Sequence, residues 1–126
     1  MAEGLILKEN RRLVRRELIY YLKAADRKTG EEIGRLGDIH TEGMLLLTYE
    51  PLPGETVFEV SLELPKAMAQ AEGYAEIPVR AQSLWSKPGP KMSNYYENGL
   101  SFLNPPAHLK KAITRLMDVF AMPHNM

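Results

Sequence analysis

Residues 11 to 16 read Arg-Arg-Leu-Val-Arg-Arg, two overlapping pairs of arginines four apart: Arg11 with Arg15, and Arg12 with Arg16. A guanidinium is planar and permanently charged, and it makes paired bonds to a phosphate or to the O6/N7 edge of guanine. It also stacks on a purine face. The plain expectation for a basic hexamer is a solvated arm. The sharper one is a clamp, in which two arginines on a mobile segment close over a compact anion. The charge distribution favours a compact target. The chain of 126 residues carries no net charge, yet its start holds Lys8, Arg11, Arg12, Arg15 and Arg16 against Glu3 and Glu9. One short basic segment on a neutral protein is a poor general nucleic-acid binder, so DNA is not expected as a partner.

The second polar cluster is Leu-Gly-Asp-Ile-His-Thr-Glu-Gly-Met at 36–44. Taken alone it reads as a tight turn, with Asp38 bonding nearby backbone N–H groups and Gly43 in a left-handed conformation. Such a turn also presents side chains. Asp38 would accept hydrogen bonds from a ligand's amino or imino groups while backbone N–H groups meet the ligand's oxygens.

Other chemistry finds little support. His40, His108 and His124 have no partner at a metal-binding spacing such as HExxH. Ser61, Ser83, Ser86, Ser93 and Ser101 form no GxSxG elbow, and there is no GxxxxGK[ST] phosphate loop. Glu31 and Glu32 sit beside a turn and read as solvated. The absence of cysteine excludes thiol chemistry and is compatible with a reducing cytoplasm. No apolar run approaches the roughly 20 residues that span a bilayer. The N-terminal residues lack the order of a signal peptide. A cytoplasmic, non-enzymatic protein without membrane insertion is the expectation.

The elements that must position these groups follow from periodicity. At 44% hydrophobic and 25% charged, the chain has the composition of an ordinary folded domain. Leu18, Tyr20, Leu22 and Ala24 alternate as a half-buried strand, and the turn Asp26–Gly30 follows. A second strand spans 31–38, interrupted by Gly34 and Gly37, which mark bulges or close backbone approach. Met44–Thr48 reads as a strand buried on both faces. Phe58, Val60, Leu62 and Leu64 form the inner face of another. Residues 66–73 read as a variable loop. Ile77, Val79, Ala81, Ser83 and Trp85 share one face of a strand whose Pro78 marks an edge or bulge, and 86–94 reads as a loop. Tyr96, Leu100 and Phe102 share the parity of a last strand. Asn104 can cap a helix whose first turn holds Pro105 and whose apolar stripe is Leu109, Ala112, Ile113, Leu116 and Phe120, ending at Pro123. Short, regularly spaced strands favour a closed barrel, because closure removes exposed edges.

The order of these features resembles the PilZ domain. Arg-Arg-Leu-Val-Arg at 11–15 stands for that family's Arg-x-x-x-Arg arm, and Asp38 to Gly43 stands for its Asp/Asn-x-Ser-x-x-Gly turn. Thr29-Gly30, Ile33-Gly34, Met44, Trp85 and the Gly99 to Phe102 segment agree with the flanking pattern, so the resemblance runs from about residue 9 to 121. It implies an all-β fold with a C-terminal helix, a six-stranded antiparallel barrel, and a receptor for the bacterial second messenger cyclic di-GMP. It implies no enzyme and no cofactor. Carried over by position, Arg11 and Arg15 are the arm arginines, with Arg12 and Arg16 the alternative register. Asp38 and Gly43 are the turn positions. His40 stands where the family has serine, and a bulky imidazole replaces a small hydroxyl that both donates and accepts.

These implications divide the chain into an arm, 1–16, expected to be loosely ordered, and one barrel-plus-helix domain, 17–122. Binding would order the arm on the barrel and signal to a partner protein in motility, pilus, exopolysaccharide or biofilm control. The alternative is a PilZ-like scaffold that binds no nucleotide, with Tyr20-Tyr21 and Tyr95-Tyr96 as exposed interface aromatics. The C-terminal helix is compatible with a homodimer.

Overall fold

Alternating apolar residues become paired strands, and the strands close on themselves. The computed structural model describes residues 22–121, with side chains to 118. The elements are β1 (Lys23–Asp26), β2 (Glu32–His40), β3 (Gly43–Thr48), β4 (Val57–Glu63), α1 (Lys66–Glu72), β5 (Glu76–Pro88), β6 (Tyr96–Phe102) and α2 (Ala107–Ala121). The six strands form a closed barrel in the order β1-β2-β3-β6-β5-β4, every pair antiparallel. The expected six-stranded antiparallel barrel with a C-terminal helix is therefore the fold observed. No helix among the described residues is long and apolar enough to cross a membrane.

The core follows the pleat. Leu36, Leu46, Val60, Leu62, Ile77, Val79, Ala81 and Leu100 point inward and are buried. Helix α2 closes the barrel with Leu109, Ile113 and Leu116, whose spacing puts them on one stripe packed into the same cluster. Burying residues of this size contributes about 1.5–3 kcal/mol each. The barrel also holds a polar cluster. Asn98 is fully buried. Its amide nitrogen donates to Leu46 O at 3.0 Å and Thr48 Oγ1 at 2.8 Å, and its Oδ1 accepts from Leu52 N–H at 3.1 Å. Ser83 Oγ similarly donates to Pro53 O and accepts from Thr56 N–H. These two side chains fasten the segment between β3 and β4 across the barrel, satisfying backbone groups that would otherwise be stranded.

Glycine explains the close contacts. A Cβ at Gly34 would lie 2.5 Å from Leu47 O, and Gly37 sits at the register shift between Leu36 and Asp38. Both roles match the expectation for this strand. Gly30 closes the Asp26 turn with φ 79°, while Asp26 Oδ1 accepts from Lys28 N–H and Thr29 N–H. The Thr29 and Lys28 amides hold the Asp26 carboxyl below the ordinary aspartate range. Pro78 lies on the part of β5 that pairs with β4 but precedes its pairing with β6, which begins at Ala81. The missing N–H therefore falls on a locally one-sided stretch.

Several sequence expectations are corrected. Residues 66–72 are a helix, not a loop. Lys-Ala-Met-Ala-Gln-Ala-Glu consists of strong helix formers, Met68 and Ala69 pack against the core, and Gly73 at φ 88° provides the left-handed stop. Asn104 does not cap α2. It adopts φ 42°, and Pro106 O accepts from Leu109 N–H and Lys110 N–H at the helix start. Ser86–Pro88 belong to β5, and the connection to β6 starts at Gly89. Tyr95 is buried against Leu47, so it is not an exposed interface aromatic. Leu18, Tyr20, Tyr21, Pro123 and His124, the Phe120 side chain and the arm itself lie outside the described residues.

Candidate functional site

The register across four strands builds one face of the barrel from three rows. Ile39, Met44, Leu100 and Ser83 are aligned and buried, forming an inward row. The rows on either side point outward. One is Asp38–Leu45–Gly99–Trp85 and the other is His40–Gly43–Ser101–Gln82. Alternation alone thus puts Asp38 and His40 on the same outer face, two residues apart. They line a shallow groove of about 330 Å³ with Glu42, Leu45, Trp85 and Ser101.

The segment at 36–44 is mostly strand, which revises the turn expected there. Strand β2 runs to His40, β3 starts at Gly43, and only Thr41 and Glu42 form the connection. Gly43 is not left-handed, since the positive-φ glycines among the described residues are Gly30 and Gly73. Its requirement is steric instead. A Cβ there would strike Leu100 O on β6. Gly43 permits the close approach of β3 to β6 beneath the groove.

Asp38 Oδ1 accepts from Ile39 N–H at 2.9 Å, as a carboxylate beside a bulge is placed to do. A carboxylate has further lone pairs for donors on a ligand. His40 Nδ1 accepts from Glu42 N–H at 3.2 Å. That bond fixes the neutral tautomer with its proton on Nε2, so His40 offers the exposed face a donor. The hairpin tip is tied to β6 by Phe102 N–H donating to Glu42 O at 2.9 Å.

Trp85 is the part of the site that sequence parity misplaces. The alternation puts it with Ser83 on the inner face, but a register shift between Ser83 and Trp85 at Leu84 turns the indole outward. Trp85 is 45% exposed and Leu84 55%. The ring lies against Gly99, where an added Cβ would collide with it. Lys87 Nζ is 5.5 Å from the ring centroid. The indole is a flat, accessible surface suited to stacking. The signal in the sequence was Trp85 opposite a glycine of the neighbouring strand, but the pairing that makes it legible is long-range.

Comparison of this chain with family models, characterised proteins and solved structures finds no match.

Of the residues anticipated from the sequence, the structure brings Asp38, His40 and Gly43 together at one groove. Arg11, Arg12, Arg15 and Arg16 lie outside the described residues. Among the described residues, no group of three or more His, Asp or Glu side chains could hold a metal ion. The groove lining is chemically one-sided. It offers carboxylate acceptors at Asp38 and Glu42, an imidazole donor at His40 and an aromatic plane at Trp85, and among the described residues no lysine or arginine lines it. Such a set recognises the amino and imino edge of a planar heterocycle better than it recognises a bare phosphate.

Proposed function

We propose that this protein is a cyclic di-GMP receptor of the PilZ type. The observation that carries the reading is the convergence of Asp38 and His40 with the exposed Trp85 plane on one outer face of a closed barrel. Asp38 would accept from the N1 and N2 side of a guanine. Trp85 would stack on a base, and the His40 Nε2–H would meet an acceptor on guanine or phosphate. Because no lysine or arginine lines the groove among the described residues, the ligand's phosphates would draw on cations from elsewhere in the chain. Arg11 and Arg15 fill that role in this reading, with Arg12 and Arg16 as the second register. Charge-assisted bonds of this kind contribute about 1.5–3 kcal/mol each before ordering is subtracted. Three of them with stacking support micromolar affinity. Ordering of the arm on the barrel would then present a new surface to a partner protein, in bacterial motility, pilus or exopolysaccharide control.

The experiment is calorimetric titration of cyclic di-GMP against wild type, Arg15→Ala and His40→Ser. The receptor reading expects wild type to bind, Arg15→Ala to lose most of the affinity, and His40→Ser to keep or strengthen it. Silence in wild type at high micromolar ligand, with binding restored in His40→Ser, favours the second reading, a protein-binding scaffold. One observation supports that alternative. Val57, Leu84 and Trp85 are exposed apolar side chains on outward positions of adjacent strands β4 and β5, a contact surface that needs no nucleotide.

A further inference from the structure

The His40–Glu42 contact does more than shape a turn. Neutral imidazole accepts at one nitrogen and donates at the other, whereas imidazolium only donates. His40 Nδ1 now receives the Glu42 N–H. Adding a proton at Nδ1 sets two donors against each other, so the bond cannot survive and the ring must turn away. We propose that His40 is a proton-sensitive latch on the groove, closed when neutral and open when charged. Its control of affinity rests on the nucleotide reading above.

The charged groups around it set the direction. Asp38 on β2 and Glu42 in the connection line the same groove, while β3, β6 and β5 contribute no ionisable side chain to that lining. Lys87 of β5 sits over the Trp85 ring. An imidazolium released from the turn therefore has two carboxylates to pair with. Pairing with Asp38 occupies the acceptor that a guanine edge requires. It also withdraws the fixed Nε2–H from the position where the ligand would meet it. Acid thus opens the latch and weakens binding, although the ligand is an anion. Losing one exposed hydrogen bond and part of a second corresponds to about a three- to tenfold loss of affinity.

The test has two readouts on wild type and His40→Ser. The first is the Glu42 amide shift by nitrogen-15 NMR across pH 5–8 without ligand. The second is calorimetric affinity for cyclic di-GMP at pH 5.5 and 7.5. The expected result is a Glu42 amide that titrates in wild type and is flat in His40→Ser, with affinity about three- to tenfold lower at the acid pH only in wild type. A Glu42 amide that ignores pH in wild type overturns the latch. An amide that titrates while affinity is equal at both pH values overturns its control of binding. If the amide titrates but neither protein binds at either pH, the nucleotide reading fails and gating of that ligand fails with it. The persisting amide titration separates this outcome from failure of the latch.

Discussion

Gly43→Ala and Gly99→Ala are the same chemical change in neighbouring rows of one barrel face, and they should behave oppositely. At Gly43 the new methyl meets the Leu100 carbonyl oxygen, with the carbonyl carbon only 3.4 Å away. A backbone carbonyl in a paired strand cannot rotate aside, so β3 and β6 must separate at the Gly43–Ser101 pair. Overpacking of this kind costs about 1–3 kcal/mol, and the rigid obstacle puts Gly43→Ala at about 3. With a urea slope of about 1–3 kcal/mol per molar, the midpoint should fall by about 1–3 M. At Gly99 the obstacle is the Trp85 indole, 45% exposed and able to swing outward. Replacing a strand glycine gains about 0.5–1 kcal/mol in chain entropy. Exposing about 40 Å² of ring costs about 1 kcal/mol at 25 cal/mol per Å². The two nearly cancel, so Gly99→Ala should unfold within about 1 kcal/mol of wild type. Its effect should appear in the emission of Trp85, the sole tryptophan, which should shift to the red as the ring leaves the backbone. The assay is urea unfolding followed by circular dichroism, with tryptophan emission recorded on the folded proteins. Equal midpoints for the two variants, or unchanged emission in Gly99→Ala, would refute the steric reasoning.

Three further outcomes follow from the interior and the first turn. Asn98→Ala removes bonds to Leu46, Thr48 and Leu52 together, and should cost about 2–4 kcal/mol in urea unfolding at about 1 kcal/mol per bond plus the void left behind. Ile113→Ala empties a fully buried site between α2 and the barrel, and should lower stability by about 2–5 kcal/mol in the same measurement. The Asp26 carboxyl is held low by the amides of Thr29 and Lys28, so its ionised form contributes stability above the unfolded-state value. That contribution is lost as pH falls through the folded-state value. Wild type should therefore lead Asp26→Asn at neutral pH and converge on it in acid, as followed by thermal unfolding from pH 2.5 to 7.

Much of this architecture was legible because inner-face residues recur at local periods. Val60 and Leu62 announce β4, and Leu109, Ile113 and Leu116 announce α2, without reference to distant residues. The departures arise where long-range pairing decides. Trp85 has the parity of Ser83, and only the bulge against β6 turns it outward. Gly43 looks like turn chemistry, but its neighbour is Leu100, more than fifty residues away in sequence. Asn98 carries no local mark of burial, since its partners come from β3 and the segment after it. At the groove, the shared outward face of Asp38 and His40 follows from their separation by two residues, whereas the aromatic plane beside them required the strand order. Residues 66–72 depart from the expected loop because their helix is short, and a seven-residue stretch has little periodicity to display.

Barrel closure falls to the shortest strand among the described residues. β1 has four residues, and it bridges β2 on one side and β4 on the other. A chain truncated to begin after Arg27 would lose that keystone and expose two complementary strand edges, one on each flank of the gap. Open edges recruit other chains. Trimming the amino-terminal side of this protein should therefore yield assemblies that grow by strand addition in place of a smaller, well-behaved domain.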